Sequence, residues 1–212
     1  MATRPIYIPQ PNITGLVNSI DIEFAWHYGY RPIDKKKNIK TIHNIAKEIG
    51  IGPILEVSTK SNKTLGRRLS AFNVRRKTDM GYIYLESLYQ GSKKFELGGP
   101  YRDLYGKTPL EAKRDKRLKT SGSLIGFDYF NEKWAIEPKT AFFEWLYITA
   151  LLPYKKYFKI LCDYKGFTDI EFNPHKGIAT QARACAVFVS LLKKELLDDR
   201  LYNRHYFLSC LS

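Results

Sequence analysis

The sequence predicts an α+β fold: a single helix-rich domain with a small β-sheet and a β extension at its N-terminus. Two kinds of pattern predict it. The β-branched and aromatic runs "RPIYIP" and "IDIEFAW" read as strands near the start of the chain. Apolar residues at helical spacing follow in "DKKKNIKTIHNIAKEIG", and again near the end in "IATQARACAVFVSLLKKELL". At 212 residues with 44% hydrophobic and 14% aromatic content, the chain is long and apolar enough to bury a sizeable core. It contains no internal repeat, low-complexity segment or linker. Residues 1–53 are expected to form an extension packed on a functional domain spanning 54–212.

The elements follow in order. In the first helix Asp34 is the expected N-cap, Ile39, Ile42, Ile45, Ala46 and Ile49 form the apolar stripe, and Gly50 marks the stop. "PILEV" reads as a short buried strand, followed by the polar loop "STKSNKT", and "LGRRLSAFNV" as a helical turn running into a loop. "GYIYLESLYQ" begins as a strand and becomes helical near Glu86. "TPLEAK" carries a capping box, with Thr108 as N-cap, Pro109 at N1 and Glu111 at N3. "EPKTAFFEWLYITALL" is a buried helix, and "GFTDIEFNP" a strand and turn.

Thirty-five Lys and Arg against 21 Asp and Glu give a net charge of +14. That balance favours contact with nucleic acid or a phosphorylated small molecule. The basic residues are spread over short clusters: "KKK" at 35–37, "RR" at 67–68, "RRK" at 75–77, "KRDKRLK" at 113–119 and "YKKYFK" at 154–159. Cys162, Cys185 and Cys210 are too few and too scattered for a disulfide framework or a C-x-x-C zinc site. His27, His43, His175 and His205 fall in no ligand spacing, so no metal or cofactor is expected. The start "MATRPIYIPQ" has no apolar signal core and no run is long enough for a bilayer, which points to a cytoplasmic, reducing compartment.

In "ESLYQGSKKF" Glu86, Gln90 and Lys93 stand at i, i+4 and i+7, which places them on one side of a helix. They are either a solvated face or the polar wall of a pocket. A partly buried carboxylate serves as general acid or base, and a desolvated lysine beside it serves as phosphate ligand or amine nucleophile. The "STKS" loop offers Ser58, Lys60 and Ser61 at a strand end. "LSAFN" puts Phe72 beside Asn73, either as core or as an aromatic plane and amide for a base or ribose. Strand alternation would point Asp169 and Glu171 the same way, as a carboxylate pair or as two solvent-facing charges.

"LSAFN", "ESLYQGSK" with its E-x-x-x-Q-x-x-K spacing, and "TPLEAK" about twenty residues on together resemble the NADAR (YbiA-like) family. The likeness continues through Trp134, "AFFEWLYITAL", "DIEFNP" and "GIATQARACAVFV", over roughly residues 54–195. "FELGGPY", "FTDIEFNP" and the long N-terminal region look like the branch associated with DarT-type DNA ADP-ribosyltransferase toxins, in which the NADAR protein is the antitoxin. The resemblance implies N-glycosidase chemistry on ribose: removal of ADP-ribose from guanine in DNA, with no cofactor. Alternatives are a binding module without turnover, or an enzyme cleaving a riboflavin-pathway intermediate. It implies Glu86 and Lys93 as catalytic residues. It also implies Gln90 on the pocket face, Ser70, Phe72 and Asn73 as a ligand loop, and Glu111 and Lys113 at the start of the following helix. With Ser58, Lys60, Ser61, Asp169, Glu171 and Gln181, the residues Ser70, Phe72, Asn73, Gln90 and Lys113 make up the expected substrate-binding set. Ser87 stands where the family usually has His, Ala71 interrupts its Ser-Asn-Phe element, and its late Asp-x-x-Trp-Gly element is not recognisable.

Overall fold

Strands from the start, the middle and the far end of the chain share one sheet. The computed structural model describes residues 1–29, 31–174, 177 and 179–212. A long hairpin of β1 (Ala2–Pro9) and β2 (Val17–Phe24) runs in continuous antiparallel register from Ala2 opposite Phe24 to Pro9 opposite Val17. Next come α1 (Pro32–Glu48), β3 (Ile54–Glu56) and α2 (Thr64–Arg68). The hairpin β4 (Arg75–Thr78) and β5 (Gly81–Tyr84) leads directly into α3 (Leu85–Gly91) and β6 (Lys93–Phe95). After α4 (Pro109–Arg114) and α5 (Arg117–Thr120), β7 (Leu124–Tyr129) and β8 (Glu132–Trp134) complete an antiparallel sheet of order β6-β7-β8. The chain ends with α6 (Ala141–Leu151), α7 (Lys156–Cys162), β9 (Gly166–Thr168), α8 (Gln181–Lys193) and α9 (Arg204–Cys210).

The main sheet has the order β2-β1-β9-β3, with β9 antiparallel to β1 and parallel to β3. The fold is α+β, as the sequence implies. Parallel strands end at the same edge, so the residues that follow β3 and β9 emerge together. The N-terminal hairpin is tied to the C-terminal helices as well. Ser190 of α8 donates its hydroxyl to the Leu16 carbonyl at 2.6 Å, and the Gly15 N–H donates to the Leu211 carbonyl at 2.7 Å.

Every residue of α6 is buried, which accounts for its lack of a polar face. Phe142 and Trp145 of α6 pack on the β7–β8 sheet: Phe127 and Phe142 ring centres lie 4.5 Å apart, Trp134 and Trp145 5.0 Å. Glu144 is buried in the same helix because Arg183 of α8 pairs with it, and Arg183 also donates to Thr140 Oγ1 at 2.8 Å. Among the described residues no helix is long and apolar enough to cross a membrane.

Three local expectations are corrected. Arg31 is the N-cap of α1 and Pro32 its first residue; Asp34 lies inside the first turn, buried and paired with Arg31 at 3.2 Å. The α3 helix stops at Gly91, so Lys93 begins a strand instead of continuing the helical face. The capping box at Thr108 and Glu111 forms as expected, but its helix breaks at Asp115, whose carboxylate accepts the Arg117 N–H at 2.9 Å and restarts the chain as α5. His175 lies outside the described residues, as do Lys176 and Ile178 of the expected C-terminal turn and helix start.

Gly66 fixes how closely α2 approaches β3. A Cβ there would lie 2.0 Å from the Glu56 carbonyl oxygen and 2.3 Å from Ser61 Oγ. Gly66→Ala should therefore destabilise the protein by ~1–3 kcal/mol through overpacking, a drop of several degrees in thermal midpoint. Thermal denaturation by circular dichroism measures it, and an unchanged midpoint would mean that α2 can slide away freely.

Candidate functional site

The α3 helix carries polar side chains and yet is buried along its whole length. It is held there from its first residues: the Leu85 N–H donates to the Val74 carbonyl at 2.9 Å, and the Glu86 N–H to the Ala71 carbonyl at 3.2 Å. On the far side of that loop the Ala71 N–H donates to Gln181 Oε1 at 3.0 Å. The start of α8, the "LSAFN" loop and the start of α3 are thereby locked in series. Ser87, where the family usually has His, donates to the Lys107 carbonyl at 2.8 Å and ties the approach to α4 against α3.

Glu86 is only 5% exposed and Gln90 only 6%. Gln90 Nε2 donates to Glu86 Oε1 at 2.9 Å, and Lys113 Nζ of α4 stands 3.7 Å from the same oxygen. Glu86 Oε2 has no hydrogen-bond partner among the described residues, and it is not a sealed buried atom. A carboxylate with one oxygen held and the other open is oriented but not used up. The Lys113 ammonium also lies 5.2 Å from the centre of the Phe72 ring, which fixes Phe72 as one wall. These contacts exclude the solvated-face reading of Glu86 and Gln90.

Lys93 reaches the same place from β6, not from the helix. Its Nζ sits 4.8 Å from the centre of the Tyr89 ring. Burial pushes the amine down to about 8, with the Glu86 charge working against that and Lys113 assisting it. Lys93, Glu86 and the exposed Lys113 thus stand close to one another, and the Tyr89 hydroxyl is held well above its ordinary range by burial and the Glu86 charge.

A second polar cluster forms where β3 and β9 end. Glu56 is 2% exposed; its Oε1 accepts from Ser58 Oγ at 2.6 Å and the Ile170 N–H at 2.9 Å, and its Oε2 from Thr168 Oγ1 at 2.7 Å. Asp169 is buried beside it and accepts from Thr180 Oγ1, the N-cap of α8, at 2.9 Å. Burial raises both carboxyls, and the Asp169 charge raises Glu56 further. Lys113 acts the other way on Asp169, which links this cluster to the Glu86 group. Glu56, with His43, Ser61 and Lys63, lines a cavity of about 350 Å³ that α1 closes with Lys36, Lys37 and Lys40.

Glu86, Gln90, Lys93, Lys113 and Phe72 therefore come together, with Asp169 within the field of Lys113 and Gln181 as a support. Ser58 and Ser61 belong to the Glu56 cluster; half-buried Lys60 gives its backbone N–H to Ser58 Oγ at 3.1 Å. Ser70 is buried inside its own loop, accepting the Phe72 N–H at 3.4 Å. Asn73 is exposed and donates to the Arg67 carbonyl at 2.7 Å. The alternation expected of Asp169 and Glu171 does not occur, because β9 ends at Thr168: Asp169 turns inward, and Glu171 is exposed and pairs with Lys35 at 3.6 Å. Sequence reasoning missed Glu56, whose signal was a lone carboxylate inside the apolar run "PILEV".

The α+β scaffold thus carries a buried acid and amide, with a half-buried lysine and an exposed one beside them. The chain belongs to the family whose model, described as the DarT1-associated NADAR antitoxin, matches residues 2–212. The match takes in the N-terminal hairpin and gives the chain a role as antitoxin in a toxin–antitoxin pair with a DarT toxin. A comparison with the curated proteins found no match.

The depressed Lys93 amine makes stability depend on pH. Its folded value of about 8 lies below the ordinary 10.5. The unfolded chain thus binds the proton more tightly, and the cost is present in full below pH 8 and relieved as pH rises toward 10.5. Lys93→Met should be more stable than wild type at pH 7, by ~1–3 kcal/mol, with the difference fading above pH 10. Urea denaturation at several pH values checks it; a gap that widens with pH would contradict the burial of this amine.

Proposed function

We propose that the chain is an ADP-ribosyl hydrolase, an N-glycosidase that removes ADP-ribose from guanine bases in DNA and so reverses the modification made by its partner toxin. The observation that carries this reading is Glu86: a buried carboxylate with one oxygen held by Gln90 and Lys113 and the other unpartnered among the described residues. Cleavage breaks the bond between C1 of the distal ribose and a guanine nitrogen, and its electron pair leaves with the base. Positive charge develops on the sugar, and a fixed carboxylate stabilises it more effectively in a dry site than in water. A water then adds to C1 and Glu86 takes its proton, which passes to the departing base nitrogen. The products are free ADP-ribose and unmodified guanine.

The other groups have roles in keeping with their chemistry. Lys113 and Lys60 supply cations for the diphosphate. Phe72 offers a ring face for a base, and Asp169 an acceptor for ribose hydroxyls. Lys93, an amine held near 8, is partly neutral at physiological pH and therefore a usable nucleophile. That specific feature supports a second reading of the same site, in which Lys93 attacks C1 and gives up a proton to the departing base, the ribose ring opens to an imine, and water later frees the sugar from the amine.

Glu86→Gln should lower ADP-ribose release from oligonucleotides modified on guanine by ~10²–10⁴-fold while keeping the wild-type melting temperature. Mass spectrometry of the products measures it, with thymine-modified oligonucleotides as the comparison. A fully active Glu86→Gln protein sinks the assignment, and tight ADP-ribose binding with no turnover in the wild type makes the chain a binding module. Borohydride added during turnover should leave a mass adduct that disappears in Lys93→Met if the lysine is the nucleophile, and none if water attacks directly.

A further inference from the structure

Away from the Glu86 group, β4, β5 and the C-terminal end of α6 enclose a cavity of about 570 Å³ that shares no residue with it. One of the scattered basic clusters reaches its wall, joined by a tyrosine from the start of another. "RRK" supplies Arg75, Arg76 and Lys77, and the segment opening with "YKKYFK" supplies Tyr154. Tyr82, Tyr129, Phe130 and Tyr202 contribute rings, and Tyr82 is 61% exposed.

Arg76 is the unusual member. It is only 9% exposed, and among the described residues no carboxylate lies within ion-pair distance of it. The guanidinium lies 4.2 Å from the Trp145 ring centre and 5.2 Å from that of Tyr129, and one of its donors goes to Thr149 Oγ1. A guanidinium carries five N–H donors and is costly to bury without an anion. Here the rings offset part of that cost, and donors remain beside an open cavity. Arg75 and Lys77 alternate with Arg76 along β4 and are exposed, so cations stand both inside the cavity and at its rim.

We propose that this cavity is a binding site for single-stranded nucleic acid, taking a base among its tyrosine rings and the adjoining phosphates on Arg75, Arg76 and Lys77. Exposed aromatic rings beside several cations are the chemistry that recognises a nucleotide within a strand: stacking tolerates any base, and the cations follow the backbone. Duplex bases are covered by their own stacking and cannot enter. Asp79 is the single acidic residue of the wall, and a carboxylate there can accept from a base amino group. The site deepens the nucleic-acid part of the proposed function by giving the modified strand a second foothold on the molecule. It does not depend on hydrolysis, so unmodified DNA tests it.

Fluorescence anisotropy of the full chain with a labelled, unmodified 12-mer single strand is the test, with the matching duplex and free thymidine monophosphate as competitors. Tyr82→Ala and the double change Arg75→Ala with Lys77→Ala remove exposed side chains and leave the core intact. Each should weaken single-strand binding at least tenfold, and the double change should flatten the slope of log affinity against log salt by about 1.4, at ~0.7 per lost phosphate contact. Arg76→Lys, which keeps the charge but not the fork of donors, should weaken it as well. Duplex and monophosphate should compete poorly. Single-strand affinity unchanged in Tyr82→Ala and in the double variant overturns the proposal, as does equal competition by duplex. Loss of toxin binding with strand binding intact would make this a protein-docking surface and overturns it too.

Discussion

The parallel pairing of β3 with β9 is the constraint on which the rest of the structure depends. The paired strands are three residues each, and over a hundred residues separate them. Closing a loop of that length costs entropy that two short strands cannot offset alone. The pairing persists because β1 covers the other edge of β9 and α8 packs across it, so burial on several sides supplies what the ladder lacks. Everything between β3 and β9, including α3, Lys93 of β6 and Lys113 of α4, is an excursion that this pairing gathers in. The hairpin of residues 2–24 therefore belongs to the sheet on which the site rests. The match of the family model from residue 2 is in keeping with that arrangement.

Burying carboxylates is the second constraint, and the protein meets it in different ways. Glu144 is neutralised by a partner, Arg183. Among the described residues no cation lies within ion-pair distance of Glu56; three donors surround it, and its pKa rises instead. Removing the partner of a buried ion strands the charge, whereas hydrogen bonds to a carboxyl that can take up a proton leave it tolerable in either state. Glu86 is the intermediate case, with an amide and a lysine on one oxygen and the other oxygen open. Only that last arrangement leaves an acid both oriented and available, which is why the proposed reaction is assigned to Glu86 and not to the more deeply buried Glu56. Glu56 instead braces the strand ends that position Asp169 and the "STKS" loop.

What was legible in the sequence was whatever is decided locally. The capping box of α4 could be read because Thr108 and Glu111 satisfy each other's backbone within one turn. The α6 helix could be read because eleven nearly unbroken apolar residues have no other stable place than a core. The burial of α3 could not be read from periodicity, since a glutamate, a glutamine and a lysine at helical spacing look alike in water and in a pocket. Motif order supplied what periodicity could not. Lys93 joins Glu86 although the helical wheel that suggested it fails, because the chain turns at Ser92 and sends β6 back past the end of α3. The sheet β6-β7-β8 was not anticipated because β6 and β8 are three-residue strands whose partners are chosen by tertiary packing.

Among the described residues five acids are buried, Asp34, Glu56, Glu86, Glu144 and Asp169, whereas most of the Lys and Arg clusters lie at the surface, a placement in keeping with the ligand chemistry proposed for the molecule. At physiological ionic strength charges more than about 8 Å apart in solvent scarcely feel one another, so +14 spread over the whole surface would act weakly on any single phosphate. Concentrated clusters act differently. Lys36, Lys37, Lys40 and Lys63 stand round the cavity that reaches Glu56, and Arg75, Arg76 and Lys77 round the larger one. Each set lies within a screening length of its own opening and raises the local concentration of anions there. A polyanion drawn in by both is held at two points, and two weak contacts on one strand bind as a single strong one once the chain between them can span the gap. Affinity can then reside in the rims, where it is sensitive to salt and indifferent to sequence. On the proposed function, the buried acid and its lysines then need to distinguish only the sugar–base bond.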